Sequence, residues 1–245
     1  EELYTPFVGK MITVADFEKM QHDRIKLDNL ILRKIRKVYL KQPEDAGSFI
    51  PEGKTILFFE NLKIYIDKLL NIDRETAPFQ IVSLEKSYKT SIAVEIDGEA
   101  RQIFVGGKID RIDKLNGEIR IIDYKTGNVG SLSITNVEEL FRKNEKTPKK
   151  EVLQALIYSL VVQESTNETA IKPAIFSLRK LFADNFDPTI KMDKTELTIS
   201  AIKEEFTEKL KILLREIYTS TGSYEQTPHI EHCQYCAYNT ICQRY

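Results

Sequence analysis

Long apolar runs are missing from this 245-residue sequence. No stretch approaches the roughly 20 consecutive apolar residues that a membrane-spanning helix requires, which argues against a helical membrane protein, and no membrane partner is expected. A dominant charge is missing too. The 36 Lys and Arg stand against 37 Asp and Glu, for a formal net charge of −1, so no global field favours a polyanion and any nucleic-acid surface has to be local. Cysteine is scarce. The three present, Cys233, Cys236 and Cys242, all fall within "HCQYCAYNTIC". An odd number so placed is no disulfide framework; it reads as a ligand cluster in a reducing compartment, the cytoplasm. No internal repeat or low-complexity tract is visible.

What is present is ordinary for a globular protein: 42% apolar and 30% charged residues, in a length that allows one large domain or two small ones. Apolar residues at helical spacing predict a helix over Val14 to Lys41 and a second over Thr55 to Leu70, separated by a loop from Gln42 to Gly53. From Phe79 the period changes to that of strands. "FQIVSLEKSYKTSIAVEI", "QIFVGGKIDRIDKL" and "EIRIIDYKT" predict an antiparallel meander, with Asp97-Gly98 and Asn116-Gly117 as two-residue hairpin turns. Further on, a helix is expected over Glu151 to Gln163, a strand in "AIKPAIFSLR", and a long amphipathic helix over Leu197 to Tyr218. This order predicts an α+β fold with a sheet flanked by helices.

The second hairpin carries the chemistry. A two-residue turn at Asn116-Gly117 pairs Leu115 with Glu118, Ile112 with Ile121 and Asp110 with Asp123. Alternation then puts Ile119, Ile121, Asp123 and Lys125 on one face, two isoleucines followed by an acid and an amine. Opposed carboxylates on a partly buried face repel each other. Spacing leaves two resolutions open: a surface ladder neutralised by Arg111, Lys108 or Lys125, or a hard divalent cation held by the two carboxylates with carbonyl and water oxygens.

"GGKIDRID", the hairpin, "IRIIDYKTG" and then "QALIY", in that order, resemble the core of the PD-(D/E)xK nucleases, in their RecB-like branch. The resemblance implies a restriction-endonuclease-like α+β fold with a mixed central sheet, an antiparallel meander and flanking helices. It makes Asp110 and Asp123 the metal-binding acids, with the Tyr124 carbonyl as a further ligand of Mg2+ or Mn2+. Lys125 becomes the catalytic lysine, and Gln154 and Tyr158, four apart on one helical face, complete the site. The C-x2-C-x5-C tail resembles that of AddB-type nuclease domains, in which Cys233, Cys236 and Cys242 would be ligands of a [4Fe–4S] cluster; the same spacing occurs in CRISPR-associated relatives. No fourth cysteine and no histidine of the family's early-helix type are found. "EELYTPFVG" resembles the segment on the C-terminal side of that histidine, so the sequence is expected to be a piece of a longer protein. His22 and His229 are poor substitutes, and His232 stands awkwardly beside Cys233.

The implied organisation is a single nuclease domain over 1–245, with a helical part (1–78), a catalytic core sheet and helix (79–181), a C-terminal helix (182–228) and a cysteine tail (229–245). The implied activity is metal-dependent hydrolysis of DNA, single-stranded or at duplex ends, leaving 5′-phosphates, as an exonuclease in double-strand-break repair beside a helicase subunit or helicase-like region. The alternatives are a stand-alone or CRISPR-associated exonuclease and a catalytically silent DNA-binding scaffold. "FRKNEKTPKK" places five basic residues and one acid ahead of the Gln154 helix, and Arg142, Lys143, Lys149 and Lys150 are the expected phosphate contacts, the alternative being a solvated loop.

Overall fold

The computed structural model describes residues 1–43, 49–166, 168–219 and 225–244. Part of the loop expected between the first helices (44–48) and part of the segment expected after the long C-terminal helix (220–224) therefore lie outside the described residues. The elements in chain order are β1 (Met11–Ile12), α1 (Val14–His22), α2 (Arg24–Lys34), α3 (Lys54–Thr76), β2 (Phe79–Ile96), β3 (Glu99–Leu115), β4 (Glu118–Lys125) and β5 (Ser133–Ile134). They continue with α4 (Lys150–Thr166), β6 (Ile171–Ser177), β7 (Lys191–Met192), β8 (Thr195–Glu196) and α5 (Ile199–Thr219). The α+β architecture expected from the sequence is the one observed. One sheet has the order β1-β2-β3-β4-β6 and a small one the order β5-β7-β8.

The chain divides into two compact units that interleave along the sequence. One comprises Glu1–Lys86, Ile109–Asn128 and Phe176–Pro188, the other Ser87–Lys108, Val129–Ile175 and Thr189–Tyr245.

In the first unit, the single helix expected over Val14 to Lys41 is two helices and a π-helical turn, Ile35–Tyr39. The break is at Asp23, whose backbone (φ −81°, ψ 65°) leaves the helical region while its carboxylate accepts from the Lys26 N–H and caps α2. At the start of α1, Thr13 and Asp16 form a reciprocal capping box. The helix α3 runs six residues past Leu70 and stops at Thr76, just before the Ala77-Pro78 bond. Tyr4, Ile12, Phe17, Leu70, Phe79 and Ile81 form its core, with Leu27, Ile31 and Ile35 as a second cluster.

In the second unit, α4 packs against α5, and the Phe141 and Phe206 rings meet at 5.7 Å between centroids. Here the small sheet pairs β5 with β7 in parallel and β7 with β8 antiparallel. No helix among the described residues is long and apolar enough to cross a membrane.

Candidate active site

Both expected hairpin turns form. Asp97, Gly98, Asn116 and Gly117 all have positive φ (52°, 79°, 52° and 87°), the left-handed pair that a two-residue turn needs to match strand twist. The β3–β4 ladder accordingly runs from Leu115–Glu118 through Ile112–Ile121 to Arg111–Ile122. Asp110 and Asp123 are the next residues outward on the two strands. Alternation assigns Asp110, Ile112, Ile121, Asp123 and Lys125 to one face of the hairpin, and Arg111, Asp113, Arg120, Ile122 and Tyr124 to the other.

The first face holds the acids. Asp123 is buried (5% exposed), and the Lys125 amine lies 2.8 Å from its Oδ2. Asp110 is half-buried and accepts the Tyr124 backbone N–H at 2.8 Å, so the carboxylate of β3 is tied to the main chain of β4 next to Asp123. Asp110, Arg111 and Tyr124 also line a cavity of about 490 Å³ whose other walls include Tyr4, Leu70 and Glu85.

The second face is an ionic lattice. The Arg111 guanidinium, 1% exposed, donates from Nη1 and Nη2 to the two Asp73 oxygens at 2.6 and 2.8 Å and lies 2.9 Å from Asp113. Arg120 forks onto Asp113 at 2.7 and 3.0 Å, and the Tyr4 hydroxyl donates to Asp73. A third bond from Arg111 Nη1 reaches the Tyr124 hydroxyl at 3.0 Å, and the Tyr4, Phe79 and Phe176 rings surround the guanidinium. Burial opposes the Arg111 charge, but the Asp73 and Asp113 carboxylates more than offset it and its pKa is raised. Burial also pushes the Tyr124 and Tyr4 phenols well above their ordinary 10, so both stay neutral. Of the three cations the sequence offered as neutralisers, Lys125 meets Asp123, whereas Arg111 turns to Asp73 and Asp113.

The second unit contains the remaining expected residues. On α4, Gln154 Nε2 donates to the Tyr158 hydroxyl at 2.8 Å, and the buried Tyr158 ring covers Gly107, where a Cβ would sit 2.9 Å from Cε1 and 3.1 Å from the hydroxyl. Gly106 is required for a different reason: at φ +152° its Cβ would be 2.1 Å from the Tyr88 carbonyl oxygen. The two glycines of "GGKIDRID" thus serve a close backbone approach and a tyrosine ring, respectively.

The basic segment divides in two. Lys149 turns inward, donating to the Ser133 carbonyl and lying 3.4 Å from the Glu139 carboxylate. Arg142, Lys143 and Lys150 keep exposed cations, each within reach of an acid (Glu145, Glu216 and Glu151). The tail docks on this segment through His229 Nε2 to the Asn144 carbonyl (2.6 Å) and His232 Nε2 to the Lys146 carbonyl (2.9 Å). Cys233, Cys236 and Cys242 are free thiols.

The model of the PD-(D/E)XK nuclease superfamily matches residues 14–243. The chain belongs to this superfamily. Similar proteins include an ATP-dependent helicase/deoxyribonuclease subunit of Thermoanaerobacter sp. (strain X514), 33% identical over 173 residues, which are 68% of this chain and 11% of that protein. The same subunit of Thermoanaerobacter pseudethanolicus matches with the same figures. Gene 69 protein of Mycobacterium phage L5 is 28% identical over 149 residues, 61% of this chain and 41% of that protein. The chain therefore spans about two fifths of the phage protein and about one ninth of the bacterial subunits. Its α+β fold is the restriction-endonuclease-like fold of the PD-(D/E)XK superfamily.

Superfamily members commonly use divalent metals, and the donor chemistry here fits a hard one. Asp110 and Asp123 offer carboxylates and Tyr124 a carbonyl, all oxygen, with no thiolate or imidazole among them. For a [4Fe–4S] cluster the donors do not suffice: the sequence has three cysteines where such a cluster takes four thiolates, and no group of three His, Cys, Asp or Glu side chains comes together among the described residues. Sequence reasoning missed Asp73 and Tyr4. Asp73 lies in the stretch of α3 beyond Leu70, and its pairing with Arg111 joins residues 38 apart that no local pattern connects.

Proposed function

We propose that this chain is the nuclease domain of an AddB-type helicase–nuclease, a Mg2+- or Mn2+-dependent deoxyribonuclease that digests DNA from an end during double-strand-break repair. The observation that carries this reading is the acid–lysine arrangement at the outer end of the β3–β4 hairpin. Asp110 is bonded to the main chain beside Asp123, and the Lys125 amine is 2.8 Å from Asp123. The 33% identity to the helicase/deoxyribonuclease subunits supports the DNA substrate and the helicase partner.

Asp110, Asp123 and the Tyr124 carbonyl would hold the cation, which when bound supplies positive charge to the scissile phosphate and acidity to a water. Lys125 supplies a fixed ammonium that orients the attacking water and offsets the negative charge developing on phosphate oxygens, without reorganising at the moment of reaction. Gln154 occupies the Tyr158 oxygen as a donor, which leaves the Tyr158 O–H to donate to a strand oxygen. Arg142, Lys143 and Lys150 contact phosphates along the strand, while Lys149 holds the segment's shape. Cys233, Cys236 and Cys242 would join a cluster only with a thiolate from outside this sequence, and no step depends on them.

The test is cleavage of end-labelled single-stranded and duplex DNA by the parent protein. Divalent-metal-dependent release of 5′-phosphorylated products, abolished by Asp123→Ala with binding retained, is expected. Cleavage that survives Asp123→Ala overturns the assignment.

A further inference from the structure

We infer that Tyr4, Asp73 and Arg111 act as positioning residues for the cation site, working through Tyr124. The inference rests on the reading of Asp110, Asp123 and the Tyr124 carbonyl as the cation's ligands. Asp73 and Asp113 against Arg111 and Arg120 make a charge-balanced set, but Asp73, Asp113 and Arg111 are at most 1% exposed. Desolvating such ions costs several kcal/mol each, and apolar residues of similar volume commonly serve stability as well or better. A lattice of this kind is best accounted for by what it fixes in place.

What it fixes is Tyr124. This residue is held at three points: its N–H by the Asp110 carboxylate (2.8 Å), its hydroxyl by Arg111 (3.0 Å), and its ring edge-on to Phe176 (5.6 Å between centroids). Arg111 is itself fixed by two bonds to Asp73, whose position Tyr4 reinforces. Tyr124 stands between Asp123 and Lys125 in the chain and bonds Asp110 across the hairpin. Its orientation therefore sets the strand twist that aims both acids, the lysine and its own carbonyl.

Tyr124→Phe removes the hydroxyl and keeps the ring. Uptake of Mn2+ by the full chain without DNA, followed by the electron paramagnetic resonance of the free ion, reads the site independently of cleavage, and urea unfolding of the same samples reads stability. The inference expects Tyr124→Phe to weaken Mn2+ binding roughly threefold to tenfold, the effect of one hydrogen bond, and Asp73→Asn to act in the same direction. A purely structural bond would lower the unfolding midpoint and leave the affinity of the folded chain unchanged. If Asp123→Ala loses Mn2+ while Tyr124→Phe and Asp73→Asn bind it as the wild type does, the inference falls and the nuclease reading stands. If the wild-type chain takes up no Mn2+, both fall.

Discussion

Gly107→Ala puts one methyl group under Tyr158. The added carbon would lie 2.9 Å from Cε1 and 3.1 Å from the hydroxyl oxygen, against about 3.5–4.0 Å for carbons in optimal contact. The ring has to retreat by roughly 0.5–1 Å, and overpacking of this kind costs about 1–3 kcal/mol. The same retreat stretches the 2.8 Å bond from Gln154 beyond hydrogen-bonding range, so cleavage should fall together with stability. Urea unfolding at constant m-value measures the first and end-labelled DNA the second. Because the obstacle is a side chain, truncating it relieves the clash. In a Tyr158→Ala background the alanine should be neutral to within a few tenths of a kcal/mol, giving a coupling energy near the full penalty. Gly106→Ala should cost more and show no such relief, since its methyl meets the Tyr88 carbonyl at 2.1 Å. An unchanged midpoint for Gly107→Ala, or an equal penalty with and without the tyrosine, refutes the reasoning.

Asp73→Ala leaves the Arg111 guanidinium buried with Asp113 as its remaining acid and should lower the unfolding free energy by about 3–5 kcal/mol in the same denaturation assay. Replacing Arg142, Lys143 and Lys150 by Glu should weaken DNA binding and reduce its salt dependence by roughly one charge per phosphate contact removed, as read by fluorescence anisotropy across a salt series. Glu139 accepts the Thr135 N–H at 2.9 Å, and this bond, against burial and together with Lys149, lowers its pKa from the ordinary 4.5. A lowered carboxyl pKa stabilises the folded state in full above pH 4.5 and ceases to do so as the pH falls through the folded-state value. The protection factor of the Thr135 amide, its exchange rate relative to the intrinsic rate at the same pH, should therefore fall in acid, and Glu139→Gln should remove that pH dependence.

The parts of the fold legible in the sequence are those governed by short-range rules. Asn116-Gly117 demands a left-handed pair, and that alone sets the register as far as Arg111–Ile122. The period change at Phe79 and the meander after it follow from alternation. The break at Asp23 is hidden because apolar spacing continues through it, although an Asp three residues ahead of the Lys26 amide is a capping signal. The strands β5, β7 and β8 have two residues each, too few to carry a period. In the site, the order of acid, acid and lysine is visible. The destination of Arg111 is not: its neighbours in sequence are Asp110 and Asp113, and Asp73 lies a helix and a strand away. For Lys149, composition announces a cation but cannot show that it bends back onto the Ser133 carbonyl.

Because acids and anchors occupy opposite sides of one ribbon, an acid can be edited without touching the anchors, although the reverse does not hold. An amide at Asp123 leaves the Asp73–Arg111–Asp113 lattice in place, so on the proposed nuclease reading a variant that no longer cleaves would keep its shape. On that reading an Asp123→Asn protein is a decoy that should compete with the active form for DNA ends and leave them uncut.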